Sequence, residues 1–208
     1  MLDPFFAKAL RSPLDAAGAA LLERNIKANL LTWAGFVAGL IAAVFIGVSW
    51  TSLGFVVLAL SRLAAGLDGA VARASKATDF GSYLNIVLDL IVFSALAAGF
   101  ALADPANRFA GIALMITLAG IGVAAVALQM FAARHGVGIE IPSPEIDGAP
   151  FFYVSAMVER GEIVIFFFIA LIWPNAFPVI GWLFTIACAV TIAQRVFQAR
   201  AAFGEDEG

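Results

Sequence analysis

The sequence predicts an all-α integral membrane protein: a six-transmembrane-helix bundle preceded by an N-terminal interfacial amphipathic helix. Three observations carry this. The 208 residues are 62% hydrophobic and 13% charged, with a mean hydropathy of +0.98, well beyond the apolar share of a soluble domain. Apolar runs long enough to cross a bilayer recur along the chain, separated by short polar or proline-containing links. The cations gather on one side of those runs.

The elements follow in order. Phe6, Leu10, Leu14, Ala17 and Leu21 recur at helical spacing, with Lys8, Arg11, Asp15 and Glu23 among them. Residues 1–28 therefore read as a helix lying in the cytoplasmic interface, broken at Pro13. The same stretch lacks the apolar run and small-residue cleavage site of a signal peptide. Six spans are expected near residues 29–49, 52–73, 81–103, 109–133, 157–173 and 177–199. The links at 49–51, 74–80, 104–107 and 174–177 are short, which makes consecutive spans antiparallel neighbours.

With the N-terminus in the cytoplasm, the inner segments hold Lys8, Arg11, Arg24, Lys27, Arg73, Lys76, Arg134, Arg160, Arg195 and Arg200. Of the 12 cations only Arg108 falls outside, and Arg62 lies within a span. Both termini are thus expected in the cytoplasm of a multi-pass inner (plasma) membrane protein. The connection around 134–156 is rich in proline and glycine and reads as a cytoplasmic loop. His135 has no partner at metal or triad spacing and is given no role. Residues 29–200 form the transmembrane domain, and 201–208 an acidic tail. One cysteine, Cys188, excludes a disulfide framework. A net charge of −3 without a basic groove argues against nucleic acid.

Ionisable groups inside spans point to function. Here they are Arg62, Asp68, Asp89 and, at the start of the fifth span, Glu159, Arg160 and Glu162. At 1.5 Å per residue, Asp68 lies about 8 Å below the cytoplasmic end of the second span and Asp89 about 12 Å below the start of the third. The two acids are at comparable depth on antiparallel neighbours, so they can face one cavity. Helical spacing places Asn85 a turn above Asp89 and Ala65 a turn below Asp68. Two layers are predicted: Asp68 with Asn85 nearer the water, Ala65 with Asp89 deeper. The plain structural alternative is that the acids pair with Arg62 and Arg73. Gly69 and Gly81 favour a ligand, since they let a backbone approach one closely.

The run Asp68-Gly69-x2-Ala72-Arg73-x7-Gly81-x3-Asn85-x3-Asp89 resembles the signature of the CDP-alcohol phosphotransferase (CDP-alcohol phosphatidyltransferase) family, D-x2-DG-x2-AR-x7 or 8-G-x3-D-x3-D. Lys27-Ala28-Asn29-Leu30-Leu31-Thr32 is similar to the P-N-x-x-T that opens the first span in that family, with Ala28 in place of proline. The resemblance implies a reaction in phospholipid biosynthesis. An alcohol hydroxyl attacks the β-phosphate of a CDP-linked lipid such as CDP-diacylglycerol, and CMP leaves. It implies catalytic Asp89 and Asp68, with Asp89 as the base. It also implies a nucleotide and phosphate environment of Asn29, Thr32, Gly69, Ala72, Arg73 and Gly81, and a homodimer. In the family four carboxylates hold two ions, commonly Mg²⁺ or Mn²⁺.

This chain carries Ala65 and Asn85 where the first and third family carboxylates stand. Two dications would bring +4 against −2. The expectation is at most one Mg²⁺ or Mn²⁺ in the absence of substrate, on Asp68, the Asn85 oxygen and Asp89. Glu159 and Glu162 are the spare acids available for compensation, and equally suit an exposed helix N-terminus. The alternative function is a non-catalytic relative that binds CDP-lipid or a partner enzyme. A small transporter fits less well, because internal repeats and paired broken helices are missing from the sequence. Arg134, Arg160 and Arg195 lie on the side suited to an anionic acceptor, and Arg108 does not.

Overall fold

The computed structural model describes residues 3–135, 158 and 160–203, with side chains from residue 13 to 134, at 158 and from 160 to 202. Every long element is a helix: α1 Asp3–Glu23, α2 Ala28–Gly47, α3 Thr51–Ala74, α4 Asp79–Ala103, α5 Arg108–His135, α6 Arg160–Ile172 and α7 Phe177–Phe203. Short 3-10 turns at Pro105–Asn107 and Pro174–Ala176 lead into α5 and α7. An all-α membrane protein is what the composition required. With no water in hydrocarbon, each spanning segment must satisfy its backbone within itself.

Among the described residues, five helices are long and apolar enough to cross a membrane, covering α2, α3, α4, α5 and α7 with the turns that precede the last two. Of the predicted fifth span, 157–173, the described helix is the 13-residue α6, which is not one of these five. Its expected lead-in, apart from Val158, lies outside the described residues, as do Glu159, most of the 134–156 loop and the tail beyond Phe203. The expected break at Pro13 is not found: α1 runs through it. Pro13 is exposed, so the carbonyl that the proline leaves without a donor lies on the helix's open side.

Local chemistry sets the ends. The Thr78 hydroxyl accepts from the Gly81 amide at 3.1 Å and caps α4. Asp104 accepts from the Ala106 amide at 2.7 Å, and Pro105 then opens its turn. Asn25 and Ser49 take φ of 58° and 63°, the left-handed values that stop α1 and α2. The Ser49 hydroxyl also donates to the Ala103 carbonyl at 3.2 Å, pinning the α2–α3 turn to the far end of α4.

α2 packs on α3 and α4, α4 on α5, and α5 on α7, while α1 and α6 lie against α3. Close packing comes from small residues. A Cβ added at Gly99 of α4 would meet the Ala43 carbonyl oxygen at 2.5 Å, so only glycine permits that crossing. The core is aromatic. Phe100 and Phe177 stack at 4.2 Å, and Phe167 of α6 lies 6.3 Å from both Phe93 and Phe100. Outward faces carry Leu30, Val44, Leu60, Ile116 and Leu183 exposed, the arrangement expected where lipid replaces water.

Candidate active site

The site lies where α3 and α4 face each other near the 75–78 link, roofed by the start of α6. Asp68 is 3% exposed. The Asn85 amide donates to both of its oxygens, at 3.4 and 3.2 Å. This is the upper layer that helical spacing predicted. The Thr32 hydroxyl, donating to the Ala28 carbonyl at 3.1 Å, sits beside the same carboxylate. Asn29 also arrives at the site, its side-chain oxygen 3.2 Å from where a Cβ on Gly81 would stand. Gly69 has open space beside it, touched only by Arg73, and Ala72 is half-buried next to it.

Asp89 is the deeper acid, and both of its oxygens are engaged by guanidinium groups. Arg62 Nη1 reaches Oδ1 at 3.1 Å, and Arg160 Nη2 pairs with Oδ2. The same Arg160 nitrogen donates to the Asn85 side-chain oxygen. The two arginines are held differently. Arg62 is 12% exposed, donates Nη2 to the Ser61 hydroxyl at 3.1 Å and lies 5.2 Å over the Phe93 ring. Ser61 in turn donates to the Gly35 carbonyl at 2.6 Å, which ties this arginine into α2. Arg160 side-chain exposure is 39%, at the first residue of α6.

The structural alternative is therefore half realised. Arg62 does pair with Asp89, but Arg73 pairs with Asp15 of α1, at 2.6 Å, rather than with Asp68. Sequence reasoning missed the roles of Asp15 and of Arg160 as a direct partner of Asp89. The available signal is that Arg160 is an ionisable residue at the start of an apolar run. Arg195, which the sequence puts on the side suited to an anionic acceptor, is buried between α5 and α7 and donates to the Ile121 carbonyl at 2.6 Å. Arg134 is exposed at the end of α5.

A divalent ion does not fit this arrangement. Mg²⁺ and Mn²⁺ want several converging oxygen donors with negative charge. No group of three or more His, Cys, Asp or Glu able to hold a metal occurs among the described residues. The oxygens of Asp68 and Asn85 and Oδ1 of Asp89 already accept from neighbours, while the buried Oδ2 of Asp89 has no hydrogen-bond donor and is ion-paired with the Arg160 guanidinium. An ion would have to displace Arg160 and sit beside Arg62.

The CDP-alcohol phosphatidyltransferase family model matches residues 25–194, most of the chain and all of the site. The protein belongs to that family. It is 32% identical over 198 residues, 95% of this chain and 94% of the relative, to the inner membrane protein YnjF of Escherichia coli K12. It is 29% identical over 192 residues, 92% of this chain and 93% of the relative, to the archaetidylinositol phosphate synthase of Pyrococcus horikoshii. The fold is that of the Mycobacterium tuberculosis phosphatidylinositol phosphate synthase PgsA1 with CDP-DAG bound: TM-score 0.74, 21% identity, 94% of this chain and 97% of that one. PgsA1 in complex with manganese and citrate gives a TM-score of 0.70 at 21% identity, over 94% and 92% of the two chains.

Proposed function

We propose that this protein transfers the phosphatidyl group of a CDP-linked lipid, CDP-diacylglycerol in the first instance, to an alcohol acceptor with release of CMP. The observation that carries the reading is the direct Asp68–Asn85 contact across α3 and α4, with Asp89 one turn deeper and Thr32 alongside. These are signature positions, and the contact between Asp68 and Asn85 supports the reading.

In the reaction the acceptor hydroxyl oxygen bonds to the β-phosphorus and the bond from that phosphorus to the CMP oxygen breaks. The hydroxyl proton passes to Asp89, and CMP departs as the anion. Asn29 and Thr32 line the nucleotide end, and Gly69, Ala72 and Gly81 leave it room. Arg73, released from Asp15, would reach a phosphate oxygen. The multi-pass chain lies in the inner membrane as a homodimer, with both termini and the site towards the cytoplasm.

A second reading has its own support. Because both oxygens of Asp89 are paired with arginine, the base is masked, and a protein that binds CDP-lipid without turnover is the alternative. CMP release from CDP-diacylglycerol with a panel of alcohols, in liposomes, decides between them. Acceptor-dependent release is the expected result. CDP-lipid binding with no release, restored by Ala65→Asp with Asn85→Asp, would establish the second reading instead.

A further inference from the structure

We propose that Arg160 takes the place of the divalent cation in this site: its guanidinium binds the diphosphate of the CDP-linked lipid directly, exchanging it for Asp89 and Asn85. The inference rests on the functional reading above and says which charge meets the substrate.

The first support is charge. Asp68 and Asp89 supply −2, and the two guanidiniums of Arg62 and Arg160 supply +2, so the cluster is already neutral. Ala65 and Asn85 contribute no charge. A chain with four acids here would need external cations to balance them. This one carries its own.

The second is the inequality of the two arginines. Arg62 is fixed by Ser61, Phe93 and its burial, and remains the counter-ion of Asp89 Oδ1. Arg160 is three times as exposed, 39% against 12%, and sits at the end of a helix on a long side chain. It is the arginine that can turn to an arriving anion while Asp89 keeps a partner.

The third is geometric fit to the ligand class. A planar guanidinium fork matches two phosphate oxygens and stays charged at any working pH. An arginine clamp stabilises a transferring phosphoryl group by the same electrostatics as a metal ion. Leaving Asp89 for the diphosphate would also uncover Oδ2, the proton acceptor the reaction needs. Substrate arrival and exposure of the base become one event.

The test uses the full-length protein in nanodiscs. CDP-diacylglycerol binding is measured in EDTA and in Mn²⁺, and Mn²⁺ capture without lipid is followed by electron paramagnetic resonance. The expected affinities in EDTA and Mn²⁺ agree within about twofold, while Arg160→Gln weakens binding by about ten- to a hundredfold. Arg160→Lys, which keeps the charge and loses the fork, falls between. Ala65→Asp with Asn85→Asp should capture Mn²⁺ and make lipid affinity EDTA-sensitive. Stoichiometric Mn²⁺ capture by the unaltered chain, or loss of its lipid binding in EDTA alone, overturns the inference and leaves the functional reading standing. Absence of CDP-lipid binding under both conditions overturns both.

Discussion

Asp89 shows how a single acid is accommodated within a spanning helix. Its partner Arg62 is as buried as Asp89 itself, at 12% and 13% exposed. Removing one member of a buried pair strands the other, which costs about 3–5 kcal/mol. Arg62→Ala leaves Asp89 the more exposed Arg160 as its one partner, so it should lower the unfolding midpoint in detergent by less than that full cost. Arg62→Ala with Asp89→Ala should recover part of the loss, and thermal denaturation of the three proteins checks both. The Asp68–Asn85 layer was legible in the sequence, because helical spacing and a short link fix which residues share a depth. The Arg160–Asp89 contact was not. The two residues lie on helices far apart in sequence, and no periodicity states which helix end returns over a cavity.

Among the elements, α1 behaves as an attached strap rather than a spanning helix. It meets the rest of the site through Asp15 and Arg73, whose side chains are 42% and 33% exposed, and through Gly18, where a Cβ would come within 2.7 Å of Ala70. An exposed pair contributes about 0–1 kcal/mol, whereas the glycine contact is steric. Asp15→Ala should leave the melting temperature nearly unchanged. Gly18→Leu should lift α1 from α3 and make it more sensitive to limited proteolysis. Equal protease resistance in the two variants would refute the strap. The links at 74–80 and 104–107 were readable as short polar or proline-containing stretches, and the structure adds the caps at Thr78 and Asp104. The continuity of α1 through Pro13 was not, because a proline's cost depends on which side of the helix is open.

At the scale of the molecule, the fold class followed from apolar content and segment length alone, since hydrocarbon allows so few backbone solutions. The placement of α1, α6 and the two arginines had to come from packing. Cys188, the one thiol, is 0% exposed in the aromatic core. It should resist maleimide in nanodiscs and react once sodium dodecyl sulfate opens the bundle; labelling of the folded protein would contradict the packing of α7. The charge asymmetry predicts that a green fluorescent protein fused after the last residue fluoresces in the cytoplasm. An active alkaline phosphatase fusion at the same point would reverse the orientation.

The phenylalanine ladder makes α6 a lever. Phe167, wedged between Phe93 and Phe100, is its fulcrum, and Arg160 sits seven residues away, about 10 Å along the axis. A tilt of about 5° at the rings moves the guanidinium end by about 1 Å, enough to make or break its grip on Asp89. Phe93 touches the opposite partner as well, through Arg62. The oil-filled interior therefore sets the aim of the charges above it, and substitutions far from any substrate atom can detune this site.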